Sequence, residues 1–164
     1  MSARPKTDIR VFDDGAFGAI GSKTFIVAAG ATAINPGEPV VRALGGTSVT
    51  AMATNKPAVG TDYVVGIATS LSDNTASAAG KVNVQPVVPG VIYVIAPKVA
   101  ATWNTQAEYD ALVGTRILID LTSTAYTLLA ADSANNGCVV EWLDVAKNPG
   151  KIAFSFRRAC TDLA

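Results

Sequence analysis

From Lys23 onward the chain is a succession of short apolar runs, each closed by a turn signal. TFIVA (24–28), PVVRAL (39–44), TSVTAMA (47–53), YVVGIA (63–68), KVNVQPVV (81–88) and VIYVIA (91–96) follow one another at intervals of about ten residues. Such runs are too short for amphipathic helices, and their spacing is that of consecutive antiparallel strands. The punctuation carries its own mechanism. In Asn35-Pro36-Gly37 and Asn148-Pro149-Gly150 the proline presets one torsion and the glycine supplies a positive one. Gly45-Gly46 predicts a hairpin between 39–44 and 47–53, and Pro89-Gly90 and Asn135-Asn136-Gly137 predict further reversals. Within 81–88, Val82, Val84 and Val88 alternate with Asn83 and Gln85, while Pro86 predicts an edge strand or a bulge. RILIDL (116–121), YTLLA (126–130), CVVEWL (138–143) and KIAFSFRR (151–158) continue the series, with Ile152, Phe154 and Phe156 on one face of the last. Val and Thr, stiff at the first side-chain torsion, suit a pleated surface. The fold expected is all-β, a mainly antiparallel barrel or sandwich.

One short α-helix is expected over 106–113. Thr105-Gln106-Ala107-Glu108 is a capping box, Tyr109, Leu112 and Val113 form an apolar stripe, and Gly114 terminates it. The first 22 residues are different. Arg4, Lys6 and Arg10, then Asp13-Asp14, then Gly15, Gly18 and Gly21 lie in a segment without helical period. This reads either as an extended N-terminal arm that orders on another surface or as a flexible tail. The organisation expected is an arm (1–22) and a β-rich body (23–164), the body divisible into 23–102 and 103–164.

Charge and residue inventory exclude several functions. The 164 residues carry 13 Lys+Arg against 13 Asp+Glu and no His. Balanced charge argues against nucleic acid as a partner, because phosphate affinity needs excess Lys and Arg. Without His there is no Ser-His-Asp, Cys-His or HExxH site. No cofactor or metal is expected: Cys138 and Cys160 have neither CxxC spacing nor a His partner, and read as small buried hydrophobes or a free thiol near the end, in preference to a disulfide. The apolar stretch 25–34 is too short to span a membrane and too far from the start for a signal core, so no membrane partner and synthesis in a cytoplasm are expected.

The remaining motifs are weak. Gly15, Gly18 and Gly21 have GxxGxxG spacing rather than that of a dinucleotide loop. The stretch 132–137 begins like a calcium loop but has Ala134 at the third position and Leu143 at the twelfth, so it reads as a turn. Ser72-Asp73-Asn74 lacks the companion boxes of penicillin-binding enzymes and reads as a solvated loop. Asp13-Asp14, Asp120, Glu141 and Asp144 are the carboxylates from which acid–base chemistry would have to be built. Trp103 and Trp142 read as core or interface packing, or as sugar-stacking platforms. Arg157-Arg158 with Arg4, Lys6 and Arg10 could form a basic contact surface, or be ordinary solvated charge.

The order GEPVVRALGG, DYVVGIATS, GKVNVQPVVPGVIY resembles the capsid decoration (cement) proteins of tailed bacteriophages. TQAEYDALVGTRILIDL, YTLLAADSANNGCVVEWLD and NPGKIAFSFRRA resemble the C-terminal β-rich part of such proteins. The resemblance runs from about Gly37 to the end. It implies a non-enzymatic structural protein on the capsid exterior of the virion, made in the host cytoplasm and bridging neighbouring capsomers. The implied partners are the major capsid protein and further copies of itself, as a homotrimer. With the arm reading, it designates Arg4, Lys6, Ile9, Arg10, Val11, Phe12, Phe17, Arg157 and Arg158 as capsid-contact residues. A tail, fibre or minor capsid component, and a carbohydrate-binding β-domain using Trp103 or Trp142 with carboxylates, are the alternatives.

Overall fold

The computed structural model describes residues 10–13, 21–53, 56–97, 103–122, 125–129 and 132–161. Along the chain come β1 (Arg10–Asp13), β2 (Lys23–Val27), β3 (Pro39–Ala43), β4 (Thr50–Ala51), β5 (Asp62–Ala68), β6 (Gly80–Pro86) and β7 (Ile92–Ile95). They are followed by α1 (Gln106–Asp110), β8 (Arg116–Thr122), β9 (Ala125–Leu129), β10 (Cys138–Glu141), β11 (Ile152–Phe156) and a 3-10 turn at Arg158–Cys160. The strands form two antiparallel sheets, ordered β2-β6-β5-β3-β4 and β1-β7-β11-β10-β8-β9. The all-β expectation holds; β2 to β6 make up the five-stranded sheet, and β1 joins β7 to β11 in the six-stranded one.

In the five-stranded sheet the strand β6 alternates strictly. In β6, Val82 and Val84 are buried while Lys81, Asn83 and Gln85 face solvent. Val82 pairs across to Phe25, and Val27, Val40, Val49, Val65 and Ala68 complete the same apolar cluster. The sheet curls until its ends meet: the Val49 N–H donates to the Ile26 carbonyl at 2.8 Å. That crossing limits β4 to two residues, so the segment after Gly45-Gly46 is a wider return than a tight hairpin. Contrary to the sequence reading, Pro86 does not mark an edge, since β6 lies between β2 and β5. The Val87 N–H reaches Val65 of β5 at 3.2 Å, so position 86 faces the opposite side. There β2 has already ended, Lys23 opposite Val84, so the N–H that proline lacks takes no bond away from the β2–β6 pairing.

The six-stranded sheet carries the larger core. Phe154 lies between Tyr93 and Val140, Ile152 opposite Ile95, Cys138 between Phe156 and Ile117, and Ile119 opposite Leu128. These residues share one face and are buried. The rings of Tyr93, Phe154 and Phe156 meet at centroid distances of 5.3 to 5.8 Å. This sheet also curls, with the Leu128 N–H donating to the Ala96 carbonyl at 3.2 Å. Val41, Met52, Val64 and Val87 enter the same core from the other half, so the halves share an apolar interior. On the free side of β7, Arg10 pairs with Val94 and Asp13 with Ile92. Part of the segment expected as an arm is therefore an edge strand on its own body.

The capping box forms as expected: Thr105 Oγ1 accepts from the Glu108 N–H at 3.3 Å, and Glu108 Oε2 accepts from the Thr105 N–H at 3.2 Å. The helix ends at Asp110, short of the expected 113, because β10 recruits the backbone that follows. Gly114, at φ +84°, donates to the Val140 carbonyl at 2.9 Å.

Ser72-Asp73-Asn74 is not the solvated loop expected. Buried Ser72 Oγ accepts from the Ile34 N–H at 2.9 Å and donates to Asn74 Oδ1 at 2.7 Å. The Asn74 amide donates to the Ala31 carbonyl at 2.7 Å, and the Asp73 carboxylate accepts the Lys81 N–H. The motif thus fastens the 28–34 segment to β6. Cys138 and Cys160 are buried free thiols, and burial pushes both above the ordinary thiol range.

Candidate interaction surfaces

The most exposed aromatic side chain among the described residues is mounted on a fixed backbone. Trp142 directly follows β10 and is 60% exposed, which overturns the core-packing reading and leaves the interface and sugar-stacking ones. On one side of it, the Glu141 carbonyl accepts from the buried Tyr109 hydroxyl at 2.8 Å. On the other, the Leu143 carbonyl accepts from Gln106 Nε2 at 3.1 Å, and Gln106 Oε1 accepts from the Val145 N–H at 3.0 Å. The helix thus clamps the backbone before and after the indole. At 60% exposure, the indole on this fixed mount leaves about 150 Å² of surface that a partner can bury at little cost in ordering.

The elements that clamp the Trp142 backbone carry carboxylates with partners of their own. Gln106 Nε2 also donates to Asp110 Oδ1 at 2.7 Å, which holds that carboxylate beside the Leu143 backbone. Val113, 41% exposed, donates its N–H to the Asp110 carbonyl at 3.3 Å. Glu141 accepts from the Ser155 hydroxyl at 2.6 Å, and Asp144 pairs with Lys147 at 3.2 Å. A groove of about 420 Å³, lined by Asn104, Gln106, Val145, Ala146, Pro149 and Gly150, lies between the helix start and the loop after Trp142.

A second surface lies on the outer face of β2 and β6. Ile26, 54% exposed, sits opposite Lys81, and Leu71 is 59% exposed. Leu71, Lys81, Thr24, Ser70, Asp73 and Asn83 line a shallow hollow of about 430 Å³. Thr24 Oγ1 donates to Asn83 Oδ1 at 2.8 Å, and the Asn83 N–H donates to Ser70 Oγ at 3.0 Å, so the floor is held by its own bonds. A third exposed apolar side chain, Leu44 at 65%, stands beside Gly45 at the tip of β3.

The sequence-designated contact residues are scattered. Arg4, Lys6, Ile9 and Phe17 lie outside the described residues, as do Asp14, Gly15 and Gly18. Arg10, Val11 and Phe12 form the backbone of β1. Arg157 is occupied: its Nη1 donates to the Ala134 and Asn136 carbonyls, both at 2.8 Å, and ties down the 134–137 turn. Arg158 is exposed in the 3-10 turn. The register sets Arg10 level with Ala153, four positions from Arg157, or about 13 Å along the strands. The carboxylates are likewise dispersed: Asp120 is buried in β8, Glu141 is tied to Ser155 and Asp144 to Lys147. Trp103 is half-buried against the larger core, with a left-handed φ of +71°. The Ile26–Leu71 surface was missed in sequence reading, because Ile26 sits in an apolar run that gives no sign of its facing.

Comparison with family models, with curated proteins and with solved structures finds no match to this chain. Among the described residues no helix is long and apolar enough to cross a membrane.

Proposed function

We propose that this chain is a structural adhesive subunit, a capsid decoration protein that binds the exterior of an assembled phage capsid and joins neighbouring capsomers. The observation that carries the reading is the distribution of exposed apolar anchors among the described residues: Trp142 after β10, Val113 after α1, Ile26 and Leu71 by β2 and β6, and Leu44 at the tip of β3 stand on different elements. A subunit that bridges neighbours needs more than one adhesive surface, and repetition over a particle turns modest single contacts into large avidity. Zero net charge suits crowding of identical copies. The sequence resemblance points the same way.

The test is co-sedimentation of the purified protein with empty capsids of its phage. Saturable binding at a fixed ratio to the capsid protein is expected, with heat resistance of the particles raised. Absence from the pellet at saturating protein refutes the reading. Removal of residues 1–9 alone is the appropriate test of the arm, because removal of 1–22 also strips β1 from β7. A carbohydrate-binding reading draws on the same exposed indole. Glycan-array binding lost in Trp142→Ala, with no capsid binding, would favour it instead.

A further inference from the structure

We infer that the β2–β6 hollow binds a neutral saccharide, with the Asp73 carboxylate and the Asn83 amide holding adjacent hydroxyls and Leu71 covering a C–H face. The carboxylate is held by backbone bonds. Its Oδ1 accepts the Lys81 N–H, and the Asp73 N–H donates to the Lys81 carbonyl at 3.2 Å. Ser72 and Asn74, its two chain neighbours, are bonded to the Ile34 N–H and the Ala31 carbonyl. Gly80 makes room for this arrangement: a methyl group there would fall on the Asn74 backbone nitrogen and lie 2.5 Å from Asp73 Oδ1. The amide is oriented as well. Asn83 Oδ1 accepts from the Thr24 hydroxyl at 2.8 Å, which turns Nδ2 away from Thr24, and the Asn83 N–H is engaged by Ser70 Oγ. Among the described residues nothing bonds Asp73 Oδ2, Asn83 Nδ2 or the Lys81 ammonium.

Acceptor, donors and an apolar wall thus share one opening of about 430 Å³, within the range of small-molecule sites. These groups decide the chemistry of the ligand. Asp73 and Lys81 carry opposite charges, so the lining as a whole is neutral; an anion would meet the carboxylate and a cation the ammonium. A wholly apolar ligand would strip water from Asp73, Lys81 and Asn83 without replacing its bonds, and would bear their desolvation cost. A ligand with adjacent hydroxyls avoids these penalties, since each hydroxyl both donates and accepts. One donates to Asp73 Oδ2, and its neighbour accepts from Asn83 Nδ2 or the Lys81 ammonium. Ring C–H groups then lie on Leu71, which is 59% exposed at the same opening. Because carboxylate and amide are set before binding, little ordering opposes it. The site goes beyond the adhesive reading, and Trp142 has no part in it.

The experiment is a glycan array carrying gluco-, galacto- and manno-configured oligosaccharides and their acidic derivatives, probed with the purified full chain. A retained neutral oligosaccharide is then titrated against the isotope-labelled chain and followed by amide NMR. Asp73→Asn keeps an Oδ1 acceptor for the Lys81 N–H and replaces only the second oxygen, and Leu71→Ala trims an exposed side chain. Unchanged circular dichroism verifies that both fold. The wild type is expected to retain neutral oligosaccharides, with shifts concentrated at residues 70–73 and 81–83. Asp73→Asn is expected to weaken binding about tenfold or more, the scale of a hydrogen bond to a charged group. Leu71→Ala is expected to weaken it about threefold or more through lost apolar contact, and Trp142→Ala to bind like wild type. A wild type that retains no glycan, or only acidic ones, overturns the inference. So does binding that stays unweakened in either hollow variant, or that is lost in Trp142→Ala.

Discussion

Removing one oxygen atom from Tyr109 tests how the helix holds the strand that presents Trp142. The Tyr109 hydroxyl accepts from the Ala153 N–H at 2.8 Å and donates to the Glu141 carbonyl at 2.8 Å. Glu141 and Ala153 are register partners at the end of the β10–β11 ladder, and the hydroxyl is inserted between them. Two such bonds around one tetrahedral oxygen keep the N–H and the carbonyl too far apart to pair directly. In Tyr109→Phe the ring still fills its fully buried site, but both backbone groups lose their partner. Ala153 is sealed from solvent, so its N–H bears the full desolvation penalty of about 1–3 kcal/mol. The Glu141 carbonyl is only partly buried and adds less. The expected loss is about 2 kcal/mol, or about 4–8 °C in Tm for a chain of this size. Urea unfolding followed by circular dichroism measures it, with Tyr63→Phe, at a half-exposed position, expected to stay within about 0.5 kcal/mol. A Tyr109→Phe loss below about 0.5 kcal/mol with an unchanged m-value would refute the account of the inserted hydroxyl.

Two further predictions follow from the core. Gly66 lies between β3 and β6, where a methyl group would fall on the Gln85 carbonyl oxygen and 2.5 Å from Val84 Cγ1. Gly66→Ala is therefore expected to cost about 3 kcal/mol or more, since backbone cannot yield as a side chain can, and a midpoint within about 0.5 kcal/mol of wild type would contradict that packing. Burial pushes Tyr93 and Tyr109 up to about 12, against about 10 when unfolded. The raised values favour the neutral phenols in the folded state, so that stabilisation is intact below about pH 10 and is lost as pH rises towards 12. Unfolding free energies measured through this window should fall, less steeply in Tyr109→Phe. A flat profile across it would disprove the burial-driven shift.

The strands were legible in the sequence wherever local chemistry decides them. Alternation in 81–86, Asn-Pro-Gly turns and the Thr105–Glu108 box act over a few residues, and each appears where expected, although β6 ends at Pro86 and Val87 rather than Val88 is buried beyond it. What went astray depended on neighbours distant in the chain. Pro86 signals an edge only if a strand waits for its missing N–H, and β2 ends before reaching it. Ser72-Asp73-Asn74 looks like loop chemistry until Ile34 and Ala31 arrive to bond with it. The helix should have run to 113, but the pairing of Gly114 with Val140 competes with its last turn.

By itself the sequence determined an antiparallel β-protein with one capped helical turn, no imidazole chemistry and no net charge, because periodicity, turn torsions and residue inventory are local or additive properties. Only the tertiary structure decided which apolar residues remain outside. Ile26 and Val27 are adjacent in one run, yet one is exposed and the other fully buried, since successive side chains of a strand point to opposite faces and pairing with β6 chooses between them. Trp142 continues a buried run in sequence, but β10 ends at Glu141, where Tyr109 closes the ladder and turns the indole out to solvent.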